Sequence, residues 1–219
     1  MADAHSGDWL QAIPSQKLGL WLQNTDFRRA LRFRLGIPIS DEITACLQCQ
    51  APADRYGDHA LSCVKTGYTR RHYDLVHVIR SLLALNCSTV LSERTLEPQY
   101  PNLRVDLVAP IEGRVTAYDV TIVHPTNRSM DPCLATKAEH LKLSTYKVPC
   151  NSKDWEFSPL AFNTYGGTGP ISKRALDKIF DDVIAKHVSS NLKASTLWQR
   201  VSLGLMRAFL LGHPIAHMD

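Results

Sequence analysis

The chain has few of the features that mark secreted or membrane-embedded proteins. Its 219 residues include only six cysteines. No apolar run reaches the roughly 20 residues that a membrane-spanning helix needs. The most apolar stretches, Val76–Leu85 and Leu203–Leu211, are each interrupted by an arginine. The first residues are acidic and polar, unlike a secretory signal peptide. These absences predict a soluble, intracellular protein that does not interact with a membrane.

Internal repeats and low-complexity tracts are also missing. The glycine-rich stretch Gly166–Pro170 lacks the Lys-Ser/Thr pair that follows the glycines of a nucleotide-binding P-loop, so it does not predict that function. The length suits one hydrophobic core of good size, with small additions.

Positive charge is modest in total but unevenly distributed. The formal net charge of +4 is compatible with nucleic-acid binding without indicating it. The basic residues nevertheless gather in two segments, which contain Arg28, Arg29, Arg32 and Arg34, and Lys65, Arg70, Arg71 and His72. Two interpretations remain open, namely two solvated helix faces or a surface that contacts nucleic acid.

The segment between these clusters, CLQCQAPADRYGDHALSC, has the ligand spacing of a zinc site. Cys46, Cys49, His59 and Cys63 form the pattern C-x2-C-x9-H-x3-C. Each close pair fits on one tight turn, and three thiolates with one imidazole complete a tetrahedral site that has no open position. Because few apolar side chains lie between the ligands, the segment needs the ion in order to fold. The sequence predicts a structural zinc module, the alternative being unconnected thiols and a surface histidine.

Apolar spacing predicts helices and strands along the rest of the chain. Residues 8–37 are typical of short helices. The later predicted helices are Tyr68–Leu85, Asp131–Tyr146, Ser172–Val188 and Ser195–Leu211, and the predicted strands are Thr89–Arg94, Leu103–Ala109, Val115–Val123 and Phe157–Phe162. The order α-β-β-β-α-β, with helical additions at both ends, predicts one mixed α/β core.

The second and third predicted strands are expected to form a hairpin closed by Glu112-Gly113. With a two-residue loop there, residues face each other when their numbers sum to 225. This register places Asp106 opposite Asp119 on one face of the hairpin. It also predicts a continuous apolar face on the other side, made of Leu103, Val105, Leu107, Tyr118, Val120 and Ile122.

Two directly opposed carboxylates have β-carbons roughly 5 Å apart and destabilise a sheet unless something compensates. A shared proton, a salt bridge to Arg104 or a divalent cation would each compensate. Two carboxylates with several waters suit Mg²⁺. An exposed hairpin whose aspartates point into solvent is the alternative. Lys137 and Lys142 lie on the following predicted helix, where Lys142 and Tyr146 share a face, and either lysine can reach the carboxylates.

Taken together, these segments resemble the C-terminal region of site-specific non-LTR retrotransposon polyproteins. In that family a CCHC zinc knuckle and a restriction-like endonuclease follow the reverse transcriptase. The resemblance covers nearly the whole chain, and the matching segments are HSGDWLQAIPS, FRRALRFRLGIPI, CLQC with GDHALSC, TRRHYDL, RVDLV with YDVTIV, KLSTY, FSPLAFNTYGG and LWQRVSLGLMRAF. At two positions this sequence departs from the family. Val105 replaces a proline before the first aspartate, and Thr145 replaces the second lysine of a K-x-x-K-Y pattern.

The resemblance implies an α/β fold with a PD-(D/E)-x-K restriction-endonuclease-like core. It divides the chain into a helical lead-in segment at 1–40, the zinc knuckle at 41–66, the endonuclease core at 67–165 and a C-terminal helical extension at 166–219.

The resemblance also implies a catalytic Mg²⁺ bound by Asp106 and Asp119, in addition to the structural zinc. Many such nucleases carry a lysine two residues after the second acid, where this chain has Thr121. The helix lysine Lys142 is therefore the implied catalytic lysine, with Lys137 in reserve.

The implied reaction is hydrolysis of a DNA phosphodiester in the nucleus, which nicks target DNA and exposes a 3′ hydroxyl for reverse transcription. Glu93 is expected to help hold the cation, and the residues expected to contact nucleic acid are Arg28, Arg32, Arg70, Arg71, His72 and Tyr146. Besides the target DNA, the implied partners are template RNA and a reverse transcriptase domain outside this chain. Two other functions remain open, namely a non-catalytic nucleic-acid-binding zinc module and a decayed or domesticated transposon remnant.

Overall fold

The computed structural model of the chain describes residues 5–40, 45–46, 48–63, 65, 68–125, 133–188 and 192–211. Within these residues the fold is mixed α/β, as predicted, with six α-helices around a four-stranded sheet. The helices are α1 (Asn24–Arg34), α2 (Asp58–Ser62), α3 (Tyr68–Leu83), α4 (Leu134–Asn151), α5 (Pro170–Lys186) and α6 (Ala194–Leu211), and a short 3-10 helix spans Asp8–Gln11. The strands are β1 (Leu91–Leu96), β2 (Tyr100–Ile111), β3 (Arg114–Val123) and β4 (Glu156–Asn163).

The order α3-β1-β2-β3-α4-β4 is the predicted one, although several elements are longer than predicted. Strand β2 extends the prediction at both ends, and α4 continues five residues beyond Tyr146, to Asn151. The predicted start of that helix, Asp131, lies outside the described residues, as do parts of the predicted knuckle and C-terminal segments. None of the described helices combines the length and the apolar character needed to cross a bilayer.

The sheet order is β1-β2-β3-β4, with antiparallel pairing among the first three strands and parallel pairing of β3 with β4. The β2–β3 hairpin turns at Glu112 and Gly113, whose φ angles are +48° and +77°. Two consecutive positive φ values are the geometry of a tight two-residue hairpin turn. The pairs Leu107↔Tyr118 and Ala109↔Thr116 confirm the predicted register for the half of the hairpin next to the turn.

The predicted continuous apolar face is wrong, because β2 changes face at Asp106. Leu107 packs in one hydrophobic cluster, whereas Val105 packs with Val108 in the cluster on the other side of the sheet. The regular β2–β3 pairs end at Leu107↔Tyr118. Beyond that point the Val120 backbone N–H donates to Asp106 Oδ2 at 2.7 Å. A side-chain carboxylate thus replaces a ladder hydrogen bond, and the alternation of β2 shifts by one residue.

The sheet separates two hydrophobic clusters. On one face, α3 and α5 pack against the sheet, and α6 with the N-terminal segment packs on these helices, so that all of them share a single large cluster. Helix α4 covers the other face over a smaller cluster, which contains Leu96, Val105, Val108, Ala117 and Cys150. Helices α3 and α6 approach closely at Gly204, where an added β-carbon would lie 2.9 Å from Val78 Cγ2. Asp106 marks the point where β2 passes from one cluster to the other.

Candidate functional site

The first candidate site is the Cys/His cluster, which the structure assembles from two local motifs. A tight turn brings Cys46 and Cys49 together, with hydrogen bonds from Gln50 N to Cys46 O and from Cys46 N to Ala51 O, each 2.8 Å long. Gln50 has a φ of +62°, which lets the chain reverse direction directly after Cys49. This turn places both thiols on the same side of the segment.

Helix α2 supplies the other two ligands, because His59 and Cys63 are separated by one helical turn. The Cys63 backbone N–H donates to His59 O at 2.7 Å. At the other end of α2, the Asp54 carboxylate accepts hydrogen bonds from the backbone N–H groups of Tyr56, Asp58 and His59 at 2.8, 3.2 and 2.5 Å. These bonds satisfy N–H groups that have no partner inside the helix, and they fix the orientation of the histidine.

The ligand atoms of Cys46, Cys49, His59 and Cys63 all lie within 4.8 Å of one another. Cys49 Sγ and His59 Nε2 are 3.3 Å apart. In a tetrahedral site with the usual zinc bond lengths, ligand atoms are separated by roughly 3.5 to 3.8 Å. The four residues can therefore hold a zinc ion, and together they leave no coordination position for a substrate.

The ligand side chains and nearby backbone N–H groups shift the pKa values of the cluster. The Cys49 backbone N–H is the main reason that the pKa of Cys46 is lowered to about 6. The Ala51 backbone N–H lowers the pKa of Cys49, but burial and the neighbouring thiols outweigh it, so that this pKa is raised. Hydrogen bonding to Cys46 raises the pKa of His59. A bound cation would relieve the repulsion among the thiolates.

The second candidate site lies where the β2–β3 pairing ends, and Asp106 is its first member. Asp106 Oδ2 accepts the Val120 N–H, and His72 Nε2 lies 3.0 Å from the same oxygen. His72 Nε2 is also 3.2 Å from the Val120 carbonyl oxygen. Because both of these neighbours are acceptors, Nε2 must carry a hydrogen and donate it. His72 thus orients Asp106 and cannot ligate a metal through Nε2.

The charge on Asp106 also acts on His72. Burial lowers the pKa of His72, but the hydrogen bond and the negative charge of Asp106 outweigh burial, and the pKa is raised overall. The His72 Nε2–H group of α3 therefore donates to Asp106 throughout the pH range near neutrality.

Asp119 is the second carboxylate, and it is 4% exposed. Lys142 Nζ, from α4, lies 2.6 Å from Asp119 Oδ2. This contact is a largely buried ion pair, since the Asp119 side chain is almost inaccessible to solvent. Burial is the main cause that raises the pKa of Asp119, and the charge of Asp106 adds to it, although Lys142 and His72 oppose the rise. The positive charges of Lys142 and His72 thus do not fully offset the effects of burial and Asp106 on the charged form of Asp119.

Helix α4 presents Lys142 and Tyr146 on one face, as their spacing predicts. Lys142 Nζ lies 5.5 Å from the centre of the Tyr146 ring, which in turn stacks on Phe157 at 5.3 Å. Burial, with the charges of Asp119 and Asp106, raises the pKa of Tyr146 to about 12. Lys137, the reserve candidate, is an exposed residue of the first turn of the helix.

Glu93 lies on the strand beside Asp106, between the pairs Ser92↔Leu107 and Arg94↔Val105. Its φ of +51° is a conformation that costs most residues energy, so the neighbouring strand is irregular at the same level as Asp106. Arg104 NH1 donates to Glu93 Oε2 at 3.2 Å. Hydrogen bonding to Glu93 also raises the pKa of Tyr73. Arg104 was one of the partners expected to compensate the two aspartates, and the structure pairs it with Glu93. Tyr73 was not singled out from the sequence, although it directly follows His72 on α3.

The predicted nucleic-acid contacts divide into exposed and buried residues. Arg28, Arg32 and Arg70 are exposed. Arg71 is only 3% exposed, and its guanidinium donates to the carbonyl oxygens of Ala60 and Leu61 at 2.8 and 2.9 Å. This placement does not favour the predicted phosphate contact of Arg71 and gives it a role in joining α3 to α2. His72 is half-buried against Asp106.

The two sites have different chemical capacities. The Cys/His cluster is closed and suited to a structural ion. The carboxylate site combines two acids, one ammonium group and one imidazole N–H beside a strand irregularity, and such groups can bind a hard cation and an anionic substrate. Among known proteins, no family model matches the chain and no curated protein matches it.

Proposed function

We propose that the chain is a divalent-metal-dependent DNA endonuclease module of the PD-(D/E)-x-K class, like the nucleases of site-specific non-LTR retrotransposons. One observation carries this proposal: acids from adjacent strands, Asp106 and Asp119, converge with Lys142, whose Nζ lies 2.6 Å from Asp119 Oδ2. The flanking order of helices and strands, α-β-β-β-α-β, supports it because the nucleases of this class share that order.

The donor set suits Mg²⁺, which prefers carboxylate oxygens and retains several waters. Asp119 is buried, and burial and the charge of Asp106 raise its pKa even though Lys142 Nζ lies 2.6 Å from Oδ2. Both observations indicate that additional positive charge would stabilise the pair. Asp106 and Asp119 would hold the ion, and Glu93 is the third candidate ligand. When bound, Mg²⁺ would lower the pKa of a coordinated water and neutralise charge on the phosphate.

The other residues have positioning and electrostatic roles. His72 and the Val120 N–H fix Asp106 through Oδ2, so the second oxygen, Oδ1, is the one that a ligand can use. Lys142 places a positive charge next to Asp119, where it stabilises negative charge that develops on the phosphate. The Tyr146 ring beneath Lys142 restricts the positions that the ammonium group can adopt.

Nicking of supercoiled plasmid in Mg²⁺ tests the proposal. The wild-type chain should nick the plasmid, and Asp119→Ala and Lys142→Ala should each reduce the rate by about 100-fold or more, as removal of one transition-state contact does. Asp181→Ala and Lys147→Ala are matched controls, since these residues are an exposed acid of α5 and an exposed lysine of α4. Both controls should cleave at the wild-type rate.

Two outcomes would contradict the proposal. Equal cleavage by the wild type and Asp119→Ala would remove the carboxylate site from the mechanism. If neither cleaves but both bind DNA, the chain is a non-catalytic nucleic-acid-binding module. The exposed arginines Arg28, Arg32 and Arg70 support DNA binding under either function.

The proposed activity takes place in the nucleus, because the proposed target is DNA. Template RNA and a reverse transcriptase domain are the proposed partners, because a nick would supply the 3′ hydroxyl that primes DNA synthesis.

A further inference from the structure

The zinc module and the carboxylate site are joined by consecutive residues of α3. Arg71 contacts α2, through the carbonyl oxygens of Ala60 and Leu61, and both carbonyls lie between the ligands His59 and Cys63. The next residue, His72, contacts Asp106 Oδ2 at 3.0 Å. The first turns of α3 therefore connect the backbone of the metal-binding helix to the first carboxylate over two adjacent side chains.

A second contact ties α2 to the sheet at the same place. His124 Nδ1 lies 2.8 Å from Thr164 Oγ1, and His124 Nε2 lies 3.4 Å from Asp58 Oδ1 in the first turn of α2. Leu61, Arg71, His72 and His124 also line a common cavity of about 10 Å³. A space of that size holds one water at most, so movement of α2 is transmitted to its neighbours.

We propose that Arg71 is a positioning residue that couples metal loading of the Cys/His cluster to the placement of His72 on Asp106. The five-residue helix α2 is too short to be stable alone and depends on the ion for its fold. If α2 unfolds, the carbonyl oxygens of Ala60 and Leu61 leave the guanidinium. A buried guanidinium that loses two of its acceptors is destabilised and moves toward water. That movement shifts the first turn of α3 and withdraws the His72 N–H from Asp106.

The inference rests on the proposed function for its purpose, because His72 positions a carboxylate that would bind the catalytic cation. Its structural content is independent of cleavage. It predicts that the state of the zinc module is visible at the His72 ring, and that Arg71 is needed for this link. Arg80, an exposed arginine of the same helix, offers a matched control for the loss of one arginine.

Histidine ¹⁵N NMR of the full chain reports on the His72 ring, whose signals are assigned with His72→Gln. Mn²⁺ binding followed by electron paramagnetic resonance reports on the carboxylates. In zinc-loaded Arg71→Met we expect one zinc per chain, a shifted His72 Nε2 signal and Mn²⁺ binding weakened by about tenfold, as for loss of a group that orients a metal ligand. Arg80→Met should resemble the wild type. If Arg71 had only a structural role, Arg71→Met would have a lower Tm, but its His72 signal would match that of the wild type at temperatures below that Tm.

A folded, zinc-loaded Arg71→Met that keeps the wild-type His72 signal would overturn the inference. Arg71→Lys replaces it if the methionine variant does not fold, since one ammonium group cannot bind both carbonyls in the same fork geometry. Removal of zinc from the wild type is a third measurement, and an unchanged His72 signal there would also overturn the inference. Absence of Mn²⁺ binding in the zinc-loaded wild type would count against the proposed nuclease, and the His72 signal would still decide the coupling.

Discussion

Asp106 connects backbone structure with candidate chemistry through a single side chain. Its Oδ2 accepts the Val120 N–H in place of a ladder hydrogen bond, and the same oxygen is held by His72. Burial raises the pKa of Asp119 on the next strand, and the negative charge of Asp106 adds to the rise. The hydrogen bond from Val120 to Asp106 thus interrupts the regular strand pairing and also brings Asp106 next to Asp119.

Asp119→Asn should stabilise the fold and abolish cleavage. Burial and the charge of Asp106 raise the pKa of Asp119, so the ionised carboxylate destabilises the native state at neutral pH. The neutral amide removes that repulsion, while Lys142 is exposed enough to hydrate. We expect a Tm higher by roughly 2–4 °C, which is about 1 kcal/mol in a chain of this size. Differential scanning calorimetry without divalent cations measures it, with Asp181→Asn as the control. An unchanged or lower Tm would show that Lys142 already compensates the charge fully.

His124 should make the fold less stable as the pH falls. Burial lowers the pKa of His124, and Arg71 adds to the effect, although the charges of Asp58 and Asp54 oppose it. The unfolded chain takes up this proton near pH 6.5. Stability from His124 is therefore present above pH 6.5 and is lost as the pH drops toward the lowered folded pKa.

Urea unfolding of the wild type and His124→Asn between pH 5 and pH 8 isolates this proton, because both proteins share every other titrating group. The pH dependence of the free energy of unfolding should be flatter in the variant. The limit for one proton is roughly 1.4 kcal/mol per pH unit. Parallel curves for the two proteins would show that His124 takes up the proton equally in both states.

At the scale of elements, local chemistry determined what the sequence could predict. The Glu112-Gly113 turn admits two positive φ angles, so the register beside it follows from the residues, and Leu107↔Tyr118 confirms it. The shift of face at Asp106 could not be predicted, since it depends on a carboxylate bonding to a backbone group 14 residues away. The Cys/His spacing predicted its cluster because both motifs are local turns. Burial of Arg71 depends on how α3 meets α2, which no pattern within either segment encodes.

The irregularity in β1 predicts that glycine is more stable than alanine at Glu93, the reverse of the order in an ordinary strand. In an ordinary strand, glycine is less stable than alanine by about 0.5–1 kcal/mol. Glu93 has a φ of +51°, where a β-carbon is unfavourable by roughly 1 kcal/mol and glycine carries no penalty. Glu93→Gly should therefore be more stable than Glu93→Ala, since both variants lose the same contacts to Arg104. Urea unfolding of both measures the difference. At Ser92, an exposed position of the same strand with an ordinary φ, alanine should be the more stable substitution. Alanine being favoured at both positions would contradict the strained conformation of Glu93.

At the scale of the whole molecule, one hydrophobic cluster includes residues from the N-terminal segment to the last helix. Trp9 and Phe33 belong to it, as do residues of α3, α5 and α6. Phe33 stacks on Tyr165 and Phe209 at centroid distances of 4.8 and 4.1 Å. The lead-in segment and the C-terminal helices therefore share one hydrophobic core with the sheet that carries the acid pair. Helix α1 therefore has a fixed orientation relative to the sheet, and so do the exposed arginines that it carries.

Arg28 and Arg32 lie one turn apart on α1, and both are exposed. If they contact phosphates, the double substitution to alanine should weaken binding to all DNA sequences about equally, because phosphate contacts carry no sequence information. Each lost contact reduces the number of released counterions. The slope of log K against log salt should therefore fall in magnitude by roughly 1.8 for the pair. Fluorescence anisotropy with a labelled duplex between 50 and 300 mM salt measures this slope, and Arg174→Ala, an exposed arginine of α5, is the control. An unchanged slope would show that DNA lies elsewhere and that α1 presents an ordinary solvated face.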